Sequence, residues 1–290
     1  MMTLANAEKL RLKRADVLES KKTGFETVKH LHGNVQFQKG NIKLNCQKSI
    51  YKERRDIAYL FNQVKMVKDD LILECDSVTF YSKKNKLESN GNPTIHDPDY
   101  KLVADSLIYF TELDSGVALG NVELIQNDQK IKADRIEYVK SPGSNAISYI
   151  AIGNVEIIDT LRIATCGFAT YNNITGKTIL DRKPKIIDET RTIVGEQIIL
   201  QYDKKSLNRI LIPKNAKISS ITEGFDGIKR DSSHTIFEHN DDMTSKRLDG
   251  FFIDGLLDSL RLVGMASTTY HIFEDSLYKG KNITSGDTII

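Results

Sequence analysis

Apolar and polar residues alternate along short segments through most of the chain. Val35 and Phe37 flank one polar residue, and Val122 and Leu124 flank another. These segments are rich in valine, isoleucine, tyrosine and phenylalanine and are separated by Asp, Asn, Gly and Lys turns. A period of two predicts β-strands with one buried face. The one weak helical candidate, residues 251–262, contains a glycine and follows an Asp-Gly pair, which favours a hairpin. The sequence therefore predicts an all-β protein.

A Gly-Asn-Val element recurs along the chain. It stands at residues 33–35, 120–122 and 153–155, with a Gly-Asn-Pro variant at 91–93. Degenerate copies occur at 61–64 and at 214–216, and with residue 61 as a glycine position the steps are 28, 30, 29 and 33 residues. Such regular self-similarity predicts roughly seven units of about 30 residues, each completed by its neighbours.

A second element recurs in phase with the first. It consists of an apolar residue, a variable residue, a small residue and usually an aspartate, followed by a tyrosine, as in Leu102 to Tyr109. The tyrosine steps are 30, 28, 29, 33 and 31 residues. The tyrosines of this series are Tyr51, Tyr81, Tyr109, Tyr138, Tyr171 and Tyr202.

The apolar phase shifts inside the second element. Ala104 and Leu107 are both expected to face inward, yet they are three residues apart. Because strict alternation allows no odd step, Asp105-Ser106 predicts a bulge or corner, and Asp134-Arg135 repeats it. The glycine of the first element supplies another kink. Each unit is therefore predicted to be a bent hairpin, which buries its apolar face only when several units stack.

The three cysteines share one repeat position with two alanines. Cys46, Cys166, Ala104 and Ala133 lie five residues before their tyrosine, and Cys75 lies six before. Their odd number and spacing indicate neither a full set of disulfides nor a metal site. We expect a small inward position filled by thiols that take no part in redox chemistry.

Charge and hydropathy narrow the classes of protein. The formal charge of +2 comes from 41 basic and 39 acidic residues spread along the chain, which gives no positive field suited to nucleic acid. No run approaches the 18 or so apolar residues of a membrane-spanning helix, and residues 1–14 lack a hydrophobic segment of signal-peptide length. Residues 4–7, Leu-Ala-Asn-Ala, have the small-x-small pattern of a signal-peptidase site, and they suit an ordinary polar N-terminus equally well.

The two elements in register resemble the OstA-like family of lipopolysaccharide-transport proteins, which includes LptA and the N-terminal domain of LptD. The resemblance spans about residues 10–220, and residues 255–282 look like the later part of the larger OstA-like proteins of Bacteroidetes-type bacteria. It implies a repeat-built β-jellyroll, folded like a V or a taco, with an apolar groove along its axis. Such a protein would carry lipopolysaccharide within a periplasmic bridge to the outer membrane, with no catalysis and no cofactor.

The resemblance also implies partners and a location. Lipopolysaccharide would place its acyl chains in the groove. Other β-jellyroll transport components, or further copies of this chain head to tail, would pair with exposed edge strands. No nucleic acid is expected. The protein would lie in the periplasm or at the periplasmic face of the outer membrane.

The resemblance divides the chain into three parts. Residues 1–222 are predicted to form the OstA-like repeats, 223–248 an irregular polar insertion or loop, and 249–290 further OstA-like strands, the last of them incomplete. Pro93 departs from the usual valine, and because proline cannot donate a ladder hydrogen bond we expect it at an edge or a bend.

The residues expected to line the groove all fall on the inward phase of their units. A dry, self-packed core would show the same pattern, so patterning leaves both interiors open. The expected lining residues are Val35, Phe37, Leu73, Leu102, Leu107, Val122, Leu124, Ile131, Ile136, Val155 and Ile157.

No motif indicates catalysis or a metal. The six histidines show no His-x-x-x-His spacing. Asp76, Asp105 and Asp134 could form a carboxylate row for calcium or for polysaccharide cleavage, but their corner positions favour a structural role. Asparagines such as Asn34 and Asn121 are expected either to stack in a ladder or to act as simple turn residues.

Two alternatives to the lipid conduit remain. One is a structural or adhesive β-solenoid with a packed core and no lipid ligand. The other is a polysaccharide-acting β-helix enzyme, which would need clustered carboxylates in a cleft.

Overall fold

The fold is built almost entirely of β-strands, as the sequence predicts. The computed structural model describes residues 8–98, 100–126, 129–140, 146–188, 191–203, 206–225, 236–253, 256–274 and 276–290. The chain divides into two compact units, residues 1–151 and 152–290. Within the described residues the one helical element is a single 3-10 turn, Ser82–Lys84.

Unit 1 is a series of antiparallel strands in which each long strand pairs with the next along the chain. The pairs β3–β4, β4–β5 and β5–β6 run along nearly the full strand length. Its strands are β1 Arg11–Arg14, β2 Val17–Thr23, β3 Glu26–Lys39, β4 Ile42–Lys52, β5 Ile57–Lys68, β6 Leu71–Tyr81, β7 Lys86–Asn90, β8 Thr94–His96, β9 Tyr100–Val103, β10 Ser106–Phe110, β11 Ser115–Gln126 and β12 Gln129–Lys140. The next strand, β13 Ile147–Ile158, contains the residue at which the units divide.

Unit 2 is also antiparallel, with short strands from β15 to β19 and two long strands, β23 and β24, at its end. Strand β14 pairs with both β15 and β16, and these pair in turn with β18 and β17. Its strands are β14 Arg162–Asn172, β15 Lys177–Asp181, β16 Lys185–Asp188, β17 Arg191–Val194, β18 Gln197–Asp203, β19 Ser206–Ile212, β20 Ala216–Phe225, β21 Ile236–Ser245, β22 Arg247–Ile253, β23 Leu256–Glu274 and β24 Leu277–Ile289.

The Gly-Asn pairs at residues 33–34 and 120–121 form bulges at which a strand bends. Gly33 and Asn34 have φ values of +73° and +46°, and the register between β3 and β4 shifts there. A Cβ atom added to Gly33 would lie 2.5 Å from Oδ2 of Asp16, so both the backbone and the space require glycine. The predicted corners are confirmed, and Pro93 lies in the break between β7 and β8, where it removes no ladder bond.

The aspartates of the second element hold these bulges together. Asn34 donates from Nδ2 to Oδ2 of Asp16 over 2.7 Å, and Asn121 donates in the same way to Asp105 over 3.0 Å. The backbone N–H of Asp105 donates to the carbonyl of Gly120 over 2.9 Å. An asparagine-to-asparagine ladder is therefore wrong for these two residues, because the short amide reaches the carboxylate of the neighbouring strand first.

The segment expected to be irregular, residues 223–248, is largely strand where the structure describes it. Strands β20 and β21 pair antiparallel over ten residue pairs, from Ala216 opposite Ser245 to Phe225 opposite Ile236. Residues 226–235 of that segment lie outside the described residues. The hairpin expected at 251–262 is confirmed, because β22 pairs antiparallel with the first part of β23.

Candidate functional site

The apolar interior is the first candidate site. All eleven residues expected to face inward are buried, with side chains from 0% exposed at Val35 and Leu73 to 8% at Ile157. These eleven residues therefore point inward, and their role in lining a groove for lipid stays a prediction. Because these residues are so little exposed, the protein's own side chains fill the interior.

Both halves of a bent strand contribute to this interior. On β12, Ile131 and Ala133 are buried before the corner and Ile136 is buried after it, while Asp134 and Arg135 between them are exposed. The corner thus changes the phase of the strand and keeps apolar side chains on one side of the sheet. In the copy whose tyrosine lies six residues after the cysteine, the buried aromatic residue is Phe80, whereas Tyr81 lies on the other face and donates to Glu88.

The small repeat position is largely buried, as expected. Cys46 and Cys166 are buried, Cys75 is partly buried, and all three thiols are free. Burial raises the pKa of the Cys46 thiol to about 11 and that of Cys75 to about 12. At neutral pH these thiols are protonated and unreactive, which fits packing rather than chemistry.

Two lysines cross the interior from one row of turns to another. We call the turns at residues 40–41, 69–70 and 97–98 row A, and those at 53–56, 82–85 and 111–114 row B. Lys39, one residue before the first turn of row A, donates from Nζ to the carbonyl of Ser82 and to Oδ1 of Asn85 in row B. Lys68 repeats this geometry, donating to the carbonyl of Thr111 over 2.6 Å and pairing with Asp114.

These contacts join opposite ends of the long strands. Strand β5 has 12 residues, and a straight strand of that length spans about 40 Å. A lysine at one end can reach a turn at the other end only because the strands fold back at the Gly-Asn corner. Rows A and B are therefore the two edges along which the apolar interior of unit 1 closes.

Tyrosines support the same closure from row B. Tyr109 donates to Oδ1 of Asp114 over 2.7 Å, and Tyr51 donates to Oδ1 of Asp56 over 2.8 Å. Burial raises the pKa of Asp114, but the hydrogen bonds from Lys68 and Tyr109 outweigh it and leave that pKa below its ordinary value. The Asp114 carboxylate is thus held in its charged form.

The third position of row A has no lysine. Asp97 stands there, and its Oδ1 accepts the backbone N–H of Tyr100, which completes its own turn. A cavity of about 230 Å³ lies between this position and the Lys68–Asp114 pair, and its lining also includes Tyr100 and Tyr138. The rings of Tyr100 and Tyr138 lie with centroids 5.4 Å apart. The cavity therefore borders the second lysine contact on one side and Asp97 on the other.

Unit 2 contains a polar cluster that the sequence did not reveal. Nδ1 of His271 lies 2.7 Å from Oδ1 of Asp241, which is buried, and the ring of His239 stacks on Tyr278 with centroids 4.6 Å apart. Asp241 and His271 are 30 residues apart in the chain, so no local pattern places them together. Among the described residues, no group of three or more His, Cys, Asp or Glu side chains could hold a metal ion.

Comparison with known proteins identifies one segment of the chain. Residues 101–206 match the family described as the LptA/(LptD N-terminal domain) LPS transport protein. This segment is similar to that family. The match begins in β9, includes the Gly120-Asn121 corner and ends at the start of β19, so it confirms the family predicted from the two repeated elements.

One solved structure is similar to the chain at low sequence identity. The chain is similar to LptH, the LptA homologous periplasmic component of the conserved lipopolysaccharide transport device from Pseudomonas aeruginosa, with 14% identity and a TM-score of 0.23. That alignment covers 48% of this chain and 80% of LptH. The curated proteins contain no match to the chain. A search of the described residues finds no helix with the length and apolar character needed to cross a membrane.

Proposed function

We propose that this protein carries lipopolysaccharide through the periplasm towards the outer membrane, with the acyl chains in its apolar interior. The observation that carries the proposal is the family match over residues 101–206, where the inward residues Leu102, Leu107, Val122 and Leu124 are all buried. No chemical step is involved.

The apolar interior suits acyl chains energetically. Burial of one methylene stabilises a complex by about 0.8 kcal/mol, so about ten methylenes of one acyl chain contribute about 8 kcal/mol. The sugar and phosphate groups would remain in water, because burying them without partners costs several kcal/mol. In this structure the interior side chains pack against one another. The interior must therefore open before an acyl chain can take the place of these contacts.

Edge strands offer the surfaces for partners. Strand β2 pairs with β3 alone among the described residues, and its residues are exposed, with Val17 and Leu18 each about half exposed. Strand β24 pairs with β23 along its length, apart from one parallel contact between Leu277 and Phe225. We propose that such edges accept a strand from another β-jellyroll transport component or from a second copy of this chain.

Photo-crosslinking in cells tests the proposed cargo. A photoreactive amino acid at Leu102, on the inward face of β9, is expected to form adducts with lipopolysaccharide. The matched control is Lys132, an outward residue of β12. Adducts at Leu102 no more frequent than at Lys132 would contradict the proposal, provided that both variants melt within a few degrees of the parent.

A second candidate function is a structural or adhesive β-solenoid with a packed core. The closed interior favours it, since Val35, Leu73 and Phe80 have at most 1% of their surface exposed. The two candidates differ in whether lipid enters. A stability that lipopolysaccharide does not raise, together with absent adducts, would select the packed core.

A further inference from the structure

We propose that Lys39 and Lys68 are latches that hold the two turn rows of unit 1 together, and that their release opens the apolar interior to acyl chains. This inference rests on the proposed function for its ligand. Its structural part concerns only the two rows of turns in unit 1.

The two lysines form a repeated device. Each contacts a main-chain carbonyl 43 residues farther along the chain and a side-chain oxygen 46 residues farther along. They are themselves 29 residues apart, one repeat step. Lysines on an ordinary solvated surface would not be expected to contact the same two kinds of partner at the same sequence spacing.

The position of the lysines is also unusual. Lys39 follows Val35 and Phe37 on the inward face of β3, and Lys68 follows Val64 and Met66 on the inward face of β5. Lys39 is only 9% exposed, and the side chain of Lys68 is 13% exposed. Buried ammonium groups need partners, and these partners lie on the opposite row.

The partners are built to receive the ammonium groups. Asp114 is oriented by Tyr109, and Thr111 is fixed by a 2.8 Å bond from its backbone N–H to the carbonyl of Asn85. Asn85 has a φ of +49°, which its turn requires and which asparagine tolerates. Neighbouring turns of row B are therefore joined to each other as well as to the lysines.

The third position supplies an internal comparison. Asp97 lies four residues after Pro93, as Lys68 lies four residues after Val64, so it occupies the place of the lysine in its repeat. It binds its own turn, and the cavity of about 230 Å³ lies between it and the Lys68–Asp114 pair. The lysine contacts between the rows therefore end where this cavity begins.

Distance measurement between the rows tests the latch without any ligand. In a background with the three cysteines changed to alanine, spin labels at Asp70→Cys in row A and Leu113→Cys in row B report the separation of the edges. Both sites are exposed. We expect one narrow distance in this parent and a second, longer distance when Lys39→Met and Lys68→Met are added together.

Control variants separate the latch from a general effect of charge. Lys65 lies on β5 and forms an exposed 2.9 Å ion pair with Glu74, so Lys65→Met is expected to leave the distance unchanged. If the double variant does not fold, Asp114→Asn removes the charged partner of Lys68 while keeping its shape, and it is expected to give the longer distance in part. A distance equal to that of the parent in both latch variants would overturn the proposal.

Added lipopolysaccharide distinguishes the latch from the proposed function. If the latch and the proposed cargo are both correct, purified lipopolysaccharide produces the longer distance in the parent. In the double variant, a lower concentration of lipopolysaccharide produces the same distance. If the latch variants open but lipopolysaccharide binds to neither protein, the latch stands and the proposed cargo is wrong. If lipopolysaccharide binds while the latch variants keep the parent distance, the cargo stands and the latch is wrong.

Discussion

Single residues at the corners decide whether the strands can bend. Gly33 and Gly24 both have positive φ, +73° and +58°, but their surroundings differ. A Cβ on Gly33 would meet the Asp16 carboxylate, whereas a Cβ on Gly24 would meet nothing within 4 Å. Substitutions at these two glycines therefore separate the energetic cost of backbone strain from the cost of steric crowding.

We expect Gly24→Ala to lower the free energy of unfolding by about 1 kcal/mol, the cost of placing alanine in the left-handed region. Gly33→Ala should cost about 3 kcal/mol, because it also displaces Asp16 from its bond with Asn34. Urea unfolding of both variants measures the difference. Equal costs at the two positions would show that the Asp16 contact does not hold the corner.

The buried cysteines give a second prediction at this scale. With a pKa of about 11, Cys46 is thiolate in about one molecule in a thousand at pH 8. Iodoacetamide should therefore label it only in molecules opened by urea. Cys46→Ala should lower the free energy of unfolding by only about 1 kcal/mol, since two other repeats have an alanine, Ala104 or Ala133, at the equivalent buried position. Rapid labelling of the folded protein would argue for a reactive thiol.

At the scale of the elements, the turn of row B at residues 111–114 depends on a charged carboxylate. The folded-state pKa of Asp114 is depressed, so its contribution to stability is present above the unfolded value near 3.8 and is lost as pH falls through the lower folded value. Asp114→Asn should thus destabilise the protein at pH 7 more than at pH 3. Denaturant unfolding at both pH values measures this, with Asp70→Asn, an exposed turn residue, as the control.

Many strands of the fold could be predicted from the sequence, because a half-buried strand has an apolar residue at every second position. Strands β3, β5, β11 and β12 were predictable for that reason, and so were the corners, because Gly-Asn and the odd step at Asp105 break the alternation. Strand β21 and the last three residues of β20 escaped prediction. Their exposed residues, such as Glu223 and Glu238, are polar, and polar Asp241 takes one of the buried positions, so no apolar alternation marks this hairpin. The outward position of Tyr81 was detectable, since Tyr81 lies six residues after Cys75, whereas the other tyrosines lie five residues after their small residue.

The contacts of the candidate site were harder to predict than its apolar residues. Lys39 and Lys68 look like ordinary turn lysines in the sequence, and their partners lie 43 and 46 residues away. Those contacts depend on the angle through which each strand bends, which no local pattern specifies. The pairing of Asp241 with His271 depends in the same way on strand register.

For the molecule as a whole, we expect lipopolysaccharide to stabilise the protein through its acyl chains. If those chains enter the interior, saturating lipopolysaccharide should raise the melting temperature, and the free polysaccharide without acyl chains should not. At 100 times the dissociation constant the gain is about 2.7 kcal/mol in the free energy of unfolding. An equal effect of the acyl-free polysaccharide would place binding on the outer surface.

The most direct measurement places a photoreactive group inside the interior with almost no change of shape. Phe37 is 1% exposed, and Phe25, in the turn before the same strand, is 89% exposed. Each is replaced in turn by p-azidophenylalanine, and the purified protein is irradiated with lipopolysaccharide. We expect adducts on the acyl chains at Phe37 and few or none at Phe25. Adducts at Phe25 alone, or at neither position despite measurable binding, would contradict an acyl-chain site in the interior.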